Sequence, residues 1–369
     1  MPSPTSFRTQ GLADLNPRRI LCCQLRQIGD VLLLTPSIHM LKTRFPDARI
    51  DVFTEKKCAP VLENNPEVGH VWEMDRSLGL LDSLRFYRQV GQGPDGQGYD
   101  LIIDFQQLPR IRWVLMLASA PVKLSYPPPW YNRPFYTHWA PVSGPYAAKC
   151  KAGVLMNALN LPWLNDPPRL YLSDSEKAGA GKLLAQWGVT GEDTLVTVDS
   201  THRRASRCWP AEHYARLLQL AVQARPDLRF VLLYGPGELD VVRQVAQAAN
   251  LGQQVIVPAA MLSLREMAAV QAVAALHLGN CSSPRHFALA VGTPTLTIRG
   301  STSTAWTYPS SGPGPGHEDI CQGLPCQPCD ESGCSLNYAC LTGLTPESVL
   351  PRLLAMLGGE GDAPGGQRA

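Results

Sequence analysis

The chain has 369 residues, 44% of them hydrophobic and 17% charged, with 33 Lys and Arg against 31 Asp and Glu. At ~150 residues per domain that length fits two domains, and the apolar share excludes wholesale disorder. A net charge of +2 excludes a protein that holds nucleic acid by bulk charge alone. No apolar run approaches the ~18 residues of a membrane span, and residues 1–18 lack the apolar core of a secretory signal, so a soluble cytoplasmic protein is expected. Eleven cysteines, an odd number, are then expected mostly as free thiols.

In chain order, the apolar run 19–25 predicts a buried strand closed by the turn Arg26-Gln27-Ile28-Gly29-Asp30. Helical spacing follows over 31–45, with Pro36 tolerated in the first turns. Strands are expected at 48–54 and 68–74 with a short helix, 59–64, between them. A strand at 99–105, a helix at 111–118 and a strand at 122–126 complete a first alternating unit. A linker at 161–175, rich in Pro and Asn, separates this N-terminal domain, 19–160, from a second one, 176–357. A helix over 173–187 leads into the second unit. There, strands at 193–199, 229–234, 254–257, 275–279 and 295–298 alternate with helices at 211–224, 239–249, 264–273 and 284–291. A last helix, 347–357, has Thr345 as a natural N-cap and Pro346 as a natural first residue. Residues 1–18 and 358–369 are expected as flexible tails. Two runs of alternating strand and helix predict an α/β protein with two doubly wound parallel sheets, each binding ligands at the carboxyl ends of its strands.

Four segments at expected strand ends carry chemistry. Asp30 follows the first strand at a helix start, where it reads either as an N-cap or as a general base. Val198-Asp199-Ser200-Thr201 leads through Arg203, Arg204 and Arg207 to Trp209-Pro210. It reads either as a solvated basic loop or as an anion site, with Arg207 supplying bidentate charge. Tyr234-Gly235-Pro236-Gly237-Glu238 is a strand-to-helix turn whose glutamate suits a helix start. In Gly279-Asn280-Cys281-Ser282-Ser283-Pro284-Arg285-His286 a small-residue loop opens a helix, where free N–H groups and the dipole can receive a diphosphate.

In this order the four segments resemble glycosyltransferase family 9, the ADP-heptose:lipopolysaccharide heptosyltransferases, over roughly 19–354. The resemblance implies a GT-B fold, two Rossmann-like domains facing a cleft. The N-terminal domain would bind the acceptor and the C-terminal domain the nucleotide sugar. Asp30 would be the catalytic base and Arg207 the cation for the leaving diphosphate. Ser200, Thr201, Arg207, Glu238, Cys281, Ser282, Ser283 and His286 would surround the donor. The implied activity is metal-independent, inverting transfer of a heptose or related sugar from ADP-heptose to a lipopolysaccharide inner-core or similar glycolipid. No divalent metal is expected, since no Asp-x-Asp pair sits at a strand end, and the resemblance implies no cofactor besides the donor substrate. A lipid-linked acceptor implies a place at the inner membrane surface without a membrane span.

Two departures from the family pattern bear on the donor. Cys281 stands where the family has an aspartate and Ser283 where it has a glycine, and a thiol is a weak hydrogen-bond partner. A family-9-like enzyme using a different nucleotide-sugar donor is therefore an open alternative, as is a non-catalytic sugar- or metal-binding protein on the same scaffold. Arg285 replaces an apolar residue and is expected to add a cation at the phosphate end.

The segment 321–340 holds Cys321, Cys326, Cys329, Cys334 and Cys340. Its spacing permits a four-thiolate structural metal site at Cys326, Cys329, Cys334 and Cys340, or else reduced packing or a disulfide. Arg110, Arg112 and Trp113, followed by the Pro-rich stretch at 126–135, mix cations and aromatics. That mixture reads either as a surface for an anionic lipid-linked acceptor or as a buried helix and an irregular loop.

Overall fold

Alternating apolar runs and turns organise the computed structural model, which describes residues 8–12, 14–142, 144–306 and 316–358. The described residues fall into two units that divide between Tyr171 and Leu172. In chain order the first contains β1 (Arg19–Cys23), α1 (Ile28–Leu32), α2 (Thr35–Arg44), β2 (Arg49–Glu55), β3 (His70–Met74) and α3 (Leu80–Gln92). It continues with β4 (Leu101–Asp104), α4 (Pro109–Leu117), β5 (Val122–Ser125), β6 (His138–Trp139) and α5 (Ala147–Ala158). All six strands are parallel, in the order β3-β2-β1-β4-β5-β6. The central strands are buried on both faces, as a helix-covered parallel sheet requires.

The second unit contains α6 (Asp174–Gln186), β7 (Thr194–Asp199), α7 (Ala211–Ala224), β8 (Leu228–Leu233), α8 (Leu239–Ala249), β9 (Val255–Ile256) and α9 (Leu264–Ala272). Then come β10 (Leu276–Asn280), α10 (Ser283–Ala290), β11 (Thr295–Ile298), β12 (His317–Ile320), α11 (Ala339–Thr342) and α12 (Pro346–Met356). Its parallel sheet runs β12-β11-β10-β7-β8-β9, so each unit shows the doubly wound Rossmann order. Trp209, Tyr214 and Phe230 are fully buried in its core with residues of α7, α8 and α12.

Several local expectations change. The helix expected over 31–45 is two helices. Pro36 lies near the start of the second and supplies no N–H, and the Thr35 hydroxyl donates to the Leu32 carbonyl at the break (2.7 Å). The element expected at 59–64 is a 3₁₀ turn over Lys56–Leu62 with Pro60 inside it. Nothing in the sequence reading marks α3 or α5. Within the N-terminal stretch expected as a free tail, Arg8 bridges to Trp139 and Leu12 is buried; residues 1–7, 13 and 359–369 lie outside the described residues.

Candidate active site

In each unit the strand order reverses at one point, between β1 and β4 in the first and between β7 and β10 in the second. The crevice outside the carboxyl ends of such a strand pair is where doubly wound sheets take ligands. Asp30 follows β1, Ser200 and Thr201 follow β7, and Cys281, Ser282 and Ser283 follow β10, whereas Glu238 follows the neighbouring β8.

Asp30 lies inside α1, three residues past the N-cap Gln27, so the N-cap expectation is corrected. Its carboxylate folds back on the helix start, where the Gln27 N–H donates to Oδ2 (3.2 Å). Lys151, on α5, brings its Nζ to 3.0 Å from Oδ1. The same Nζ donates to Gln24 Oε1 (3.1 Å), and the buried Gln24 amide donates to the Arg26 carbonyl (2.8 Å). The carboxylate is therefore held from both oxygens while its side chain keeps 19% of its surface exposed. Gln106, just past β4, accepts from the N–H groups of Leu25 and Arg26 (both 3.1 Å) and donates to the Arg26 carbonyl, clamping the turn. Beside it Asp104 is fully buried and accepts from Tyr136 Oη (2.7 Å) and from the N–H groups of Gln106 and Gln107 (both 2.8 Å). Burial pushes its carboxyl up to about 6, against the lowering effect of those donors. Sequence spacing could not pair Lys151 with Asp30, because 121 residues and most of a sheet separate them.

In the second unit Asp199 ends β7 and is 4% exposed. The Ser282 hydroxyl donates to its Oδ2. Thr201 approaches its Oδ1 through both N–H and hydroxyl at 3.4 Å, and the Thr201 hydroxyl also donates to Glu238 Oε2 (2.9 Å). Gly235 N–H donates to the same oxygen (2.7 Å). Burial raises the Asp199 carboxyl to about 7; Ser282 opposes that shift and the Glu238 charge adds to it. Gly279 is needed here for space, since a Cβ would lie 2.8 Å from Asp199 Cβ and 2.9 Å from its carbonyl oxygen. Asn280 latches the loops: its Oδ1 accepts from Trp209 N–H (3.0 Å) and its amide donates to the Thr201 carbonyl (3.1 Å).

Ser282 is the N-cap of α10, yet its side chain does not cap the helix, because the hydroxyl is turned to Asp199. Cys281 is a buried free thiol in the same loop and Ser283 opens the helix. His286 is buried, and desolvation, with the nearby Arg285 charge second, holds its imidazole neutral. Ser200 Oγ and Arg207 Nε are buried and make no hydrogen bond among the described residues. The Arg207 guanidinium lies 3.7 Å from Asp330. Arg203 and Arg204 are exposed. Asp199, absent from the sequence expectations as a site residue, is the hub that joins Thr201 to Ser282.

One expectation fails here and one open alternative is narrowed. Arg285 does not serve the phosphate end: it is buried, donates to the Trp306 carbonyl and faces Asp319 at 3.8 Å. Cys326, Cys329, Cys334 and Cys340 line one small cavity with Leu324 and Leu336, but among the described residues no group of three or more His, Cys, Asp or Glu could hold a metal ion. The first three of these thiols are exposed and all four are unpaired.

A model of glycosyltransferase family 9 (heptosyltransferase) matches residues 86–339. The chain belongs to glycosyltransferase family 9. As a family 9 glycosyltransferase it is 26% identical over 296 residues to lipopolysaccharide heptosyltransferase 3 of Escherichia coli K12, covering 77% of this chain and 83% of that one. It is 24% identical over 356 residues to lipopolysaccharide heptosyltransferase 2 of Salmonella typhimurium, covering 90% and 97%. A family 9 structure from Veillonella parvula superposes with a TM-score of 0.79 at 21% identity, covering 92% of this chain and 97% of that one. An E. coli ADP-heptose heptosyltransferase II superposes with 0.74 at 20%, covering 92% and 98%. The fold is GT-B. No helix among the described residues is long and apolar enough to cross a membrane.

Proposed function

We propose that this glycosyltransferase moves a heptose from ADP-heptose to an inner-core lipopolysaccharide or similar glycolipid acceptor, inverting the anomeric centre without a divalent metal. The first unit supplies the base and the second the donor site. The observation that carries the reading is the pair of switch-point constellations: Asp30 held by Lys151, and Asp199, Thr201, Glu238 and Ser282 joined through their hydroxyls and carboxylates.

Asp30 takes the proton of the acceptor hydroxyl as that oxygen bonds to the anomeric carbon. The bond from that carbon to the phosphate oxygen breaks with its electron pair, and ADP leaves. A single displacement of this kind inverts the centre, and its transition state carries oxocarbenium character. Lys151 and the Gln27 N–H fix the carboxylate's direction, and each oxygen keeps lone-pair capacity for the incoming proton. Arg207, the neutral His286 imidazole and the uncapped amides that open α10 stabilise the growing charge on the diphosphate in this reading. Glu238 and Thr201 orient the nucleotide sugar, and Ser200 Oγ offers a hydrogen bond not spent among the described residues.

The test incubates purified protein with ADP-heptose and a deacylated inner-core oligosaccharide in the presence of EDTA. The expected product carries one added heptose of inverted configuration by mass spectrometry and NMR, with one ADP released. A second reading, a different nucleotide-sugar donor, is favoured by the Cys281 thiol standing where the family has an aspartate. Transfer from a UDP-sugar or another ADP-sugar, with none from ADP-heptose, would replace the first reading by the second.

A further inference from the structure

The surface of the first unit divides unevenly in charge and polarity. Between Asp104 and Asp166 the sequence has no Asp or Glu but six Lys and Arg, in a chain whose charges otherwise nearly balance. The same stretch supplies most of this unit's large apolar side chains that stand in solvent: Trp130 is 79% exposed, Tyr131 54%, Met116 54% and Trp113 42%. Leu80 and Leu81, 76% and 70% exposed, open the neighbouring helix α3.

These side chains belong to one face. Helices α3 and α4 pack against each other. Both connections step across the parallel sheet in the same direction, so right-handed crossovers put them on the same side. The loop bearing Trp130 and Tyr131 leaves the carboxyl end of β5 and packs on α4, with the Arg112 guanidinium 5.9 Å from the Tyr131 ring. Pro127, Pro128 and Pro129 stiffen the approach to Trp130, and the Trp130 and Tyr131 rings meet edge-on at 5.8 Å. Arg110 and Arg133 are exposed beside them. The helix starts and this loop lie at the strand carboxyl ends, the end of the unit that also carries Asp30.

We infer that this face, formed by α3, α4 and the β5–β6 connection, docks on the headgroup layer of an anionic lipid bilayer. Exposed Trp and Tyr with interleaved arginines match that layer, where amphipathic rings settle at the interface and cations meet anionic lipids. A second copy of the chain is a poorer occupant, because a two-fold contact would set the arginines against one another. The inference rests on the reading of a lipid-linked acceptor, which it would bring to the Asp30 end, and it is tested apart from transfer.

The full chain is sedimented with phosphatidylglycerol–phosphatidylethanolamine vesicles and with pure phosphatidylcholine vesicles, without donor or acceptor. Binding to the anionic vesicles is expected, weakened by salt. Trp130→Ala/Tyr131→Ala should lose at least ~10-fold in partition through two interfacial anchors. Arg110→Gln and Arg133→Gln should each lose about fivefold, the effect of one cation near an anionic surface. Circular dichroism and turnover of a deacylated, soluble acceptor should be unchanged in all of them. Equal partition to both vesicle types, no anionic binding, or variants that bind like the parent would overturn the inference. So would wild-type self-association that the aromatic variant abolishes in the absence of vesicle binding. Vesicle binding without transfer would leave the inference standing and remove the heptosyl reading; transfer without vesicle binding would do the reverse.

Discussion

The two units share one strand order but hold their carboxylates in opposite ways. Asp30 meets an ammonium and remains partly open to solvent, whereas Asp199 is buried among hydroxyl and amide donors and beside a second carboxylate, Glu238. A carboxylate fixed by a cation yet still reachable suits an exchange of protons with a substrate. One sealed behind Ser282 and Thr201 suits the setting of loop geometry. On the proposed reading the same fold provides a reactive switch point and a shaping one, and the difference can be probed from either side.

On the reactive side, Lys151→Met is expected to lower kcat by about tenfold, within the range of misoriented acid–base catalysis, with the donor KM unchanged. Lys151→Arg should recover most of that loss. Steady-state kinetics on a soluble acceptor checks both, and an equal loss in the arginine variant would reduce Lys151 to a packing role.

On the shaping side, Thr201→Val removes the hydroxyl that links the two carboxylates. Donor Kd by calorimetry should rise by about fivefold, the scale of a hydrogen bond worth ~1 kcal/mol, with kcat moving less. A change confined to kcat would shift Thr201 from binding to chemistry.

A further effect is a pH dependence of stability. Asp199 titrates near 7 in the fold and near 3.9 when unfolded. Between those values the folded state holds the extra proton, so the stability that Asp199 contributes is lost as pH rises from about 4 to about 7. Asp199→Asn removes that contribution, and its stability relative to wild type should improve from about pH 4 to about pH 7 and level off above that in denaturant titrations. Asp104, which titrates near 6, contributes a slope of the same sign in both proteins. Parallel curves would mean that Asp199 is not the buried proton holder.

Much of the second unit was legible in the sequence because its helices and strands are long and separated by turn residues. The helices Ala211–Ala224 and Leu239–Ala249 and the strand Thr295–Ile298 coincide with their expected bounds. The first unit was less so. Helix α5 is made of small residues, Ala148, Ala152 and Gly153 among them, that bury without an obvious stripe, and α3 begins with exposed leucines that blur its pattern. Missing α5 also hid Lys151. The site motifs were legible one segment at a time, whereas the contacts that join them are set by sheet topology: Asp199 to Ser282, Trp209 to Asn280, Lys151 to Asp30. Arg285 was misread because a sequence gives a residue's place on a helix but not its direction, and this side chain turns inward to Asp319.

The most direct test of the central claim measures donor binding and turnover on the same preparation of Asp30→Asn. If Asp30 is the base, ADP-heptose Kd stays within about twofold while kcat falls by at least ~10²-fold, the scale of general base catalysis. Turnover near that of the wild-type enzyme, with the donor bound equally well, would contradict it.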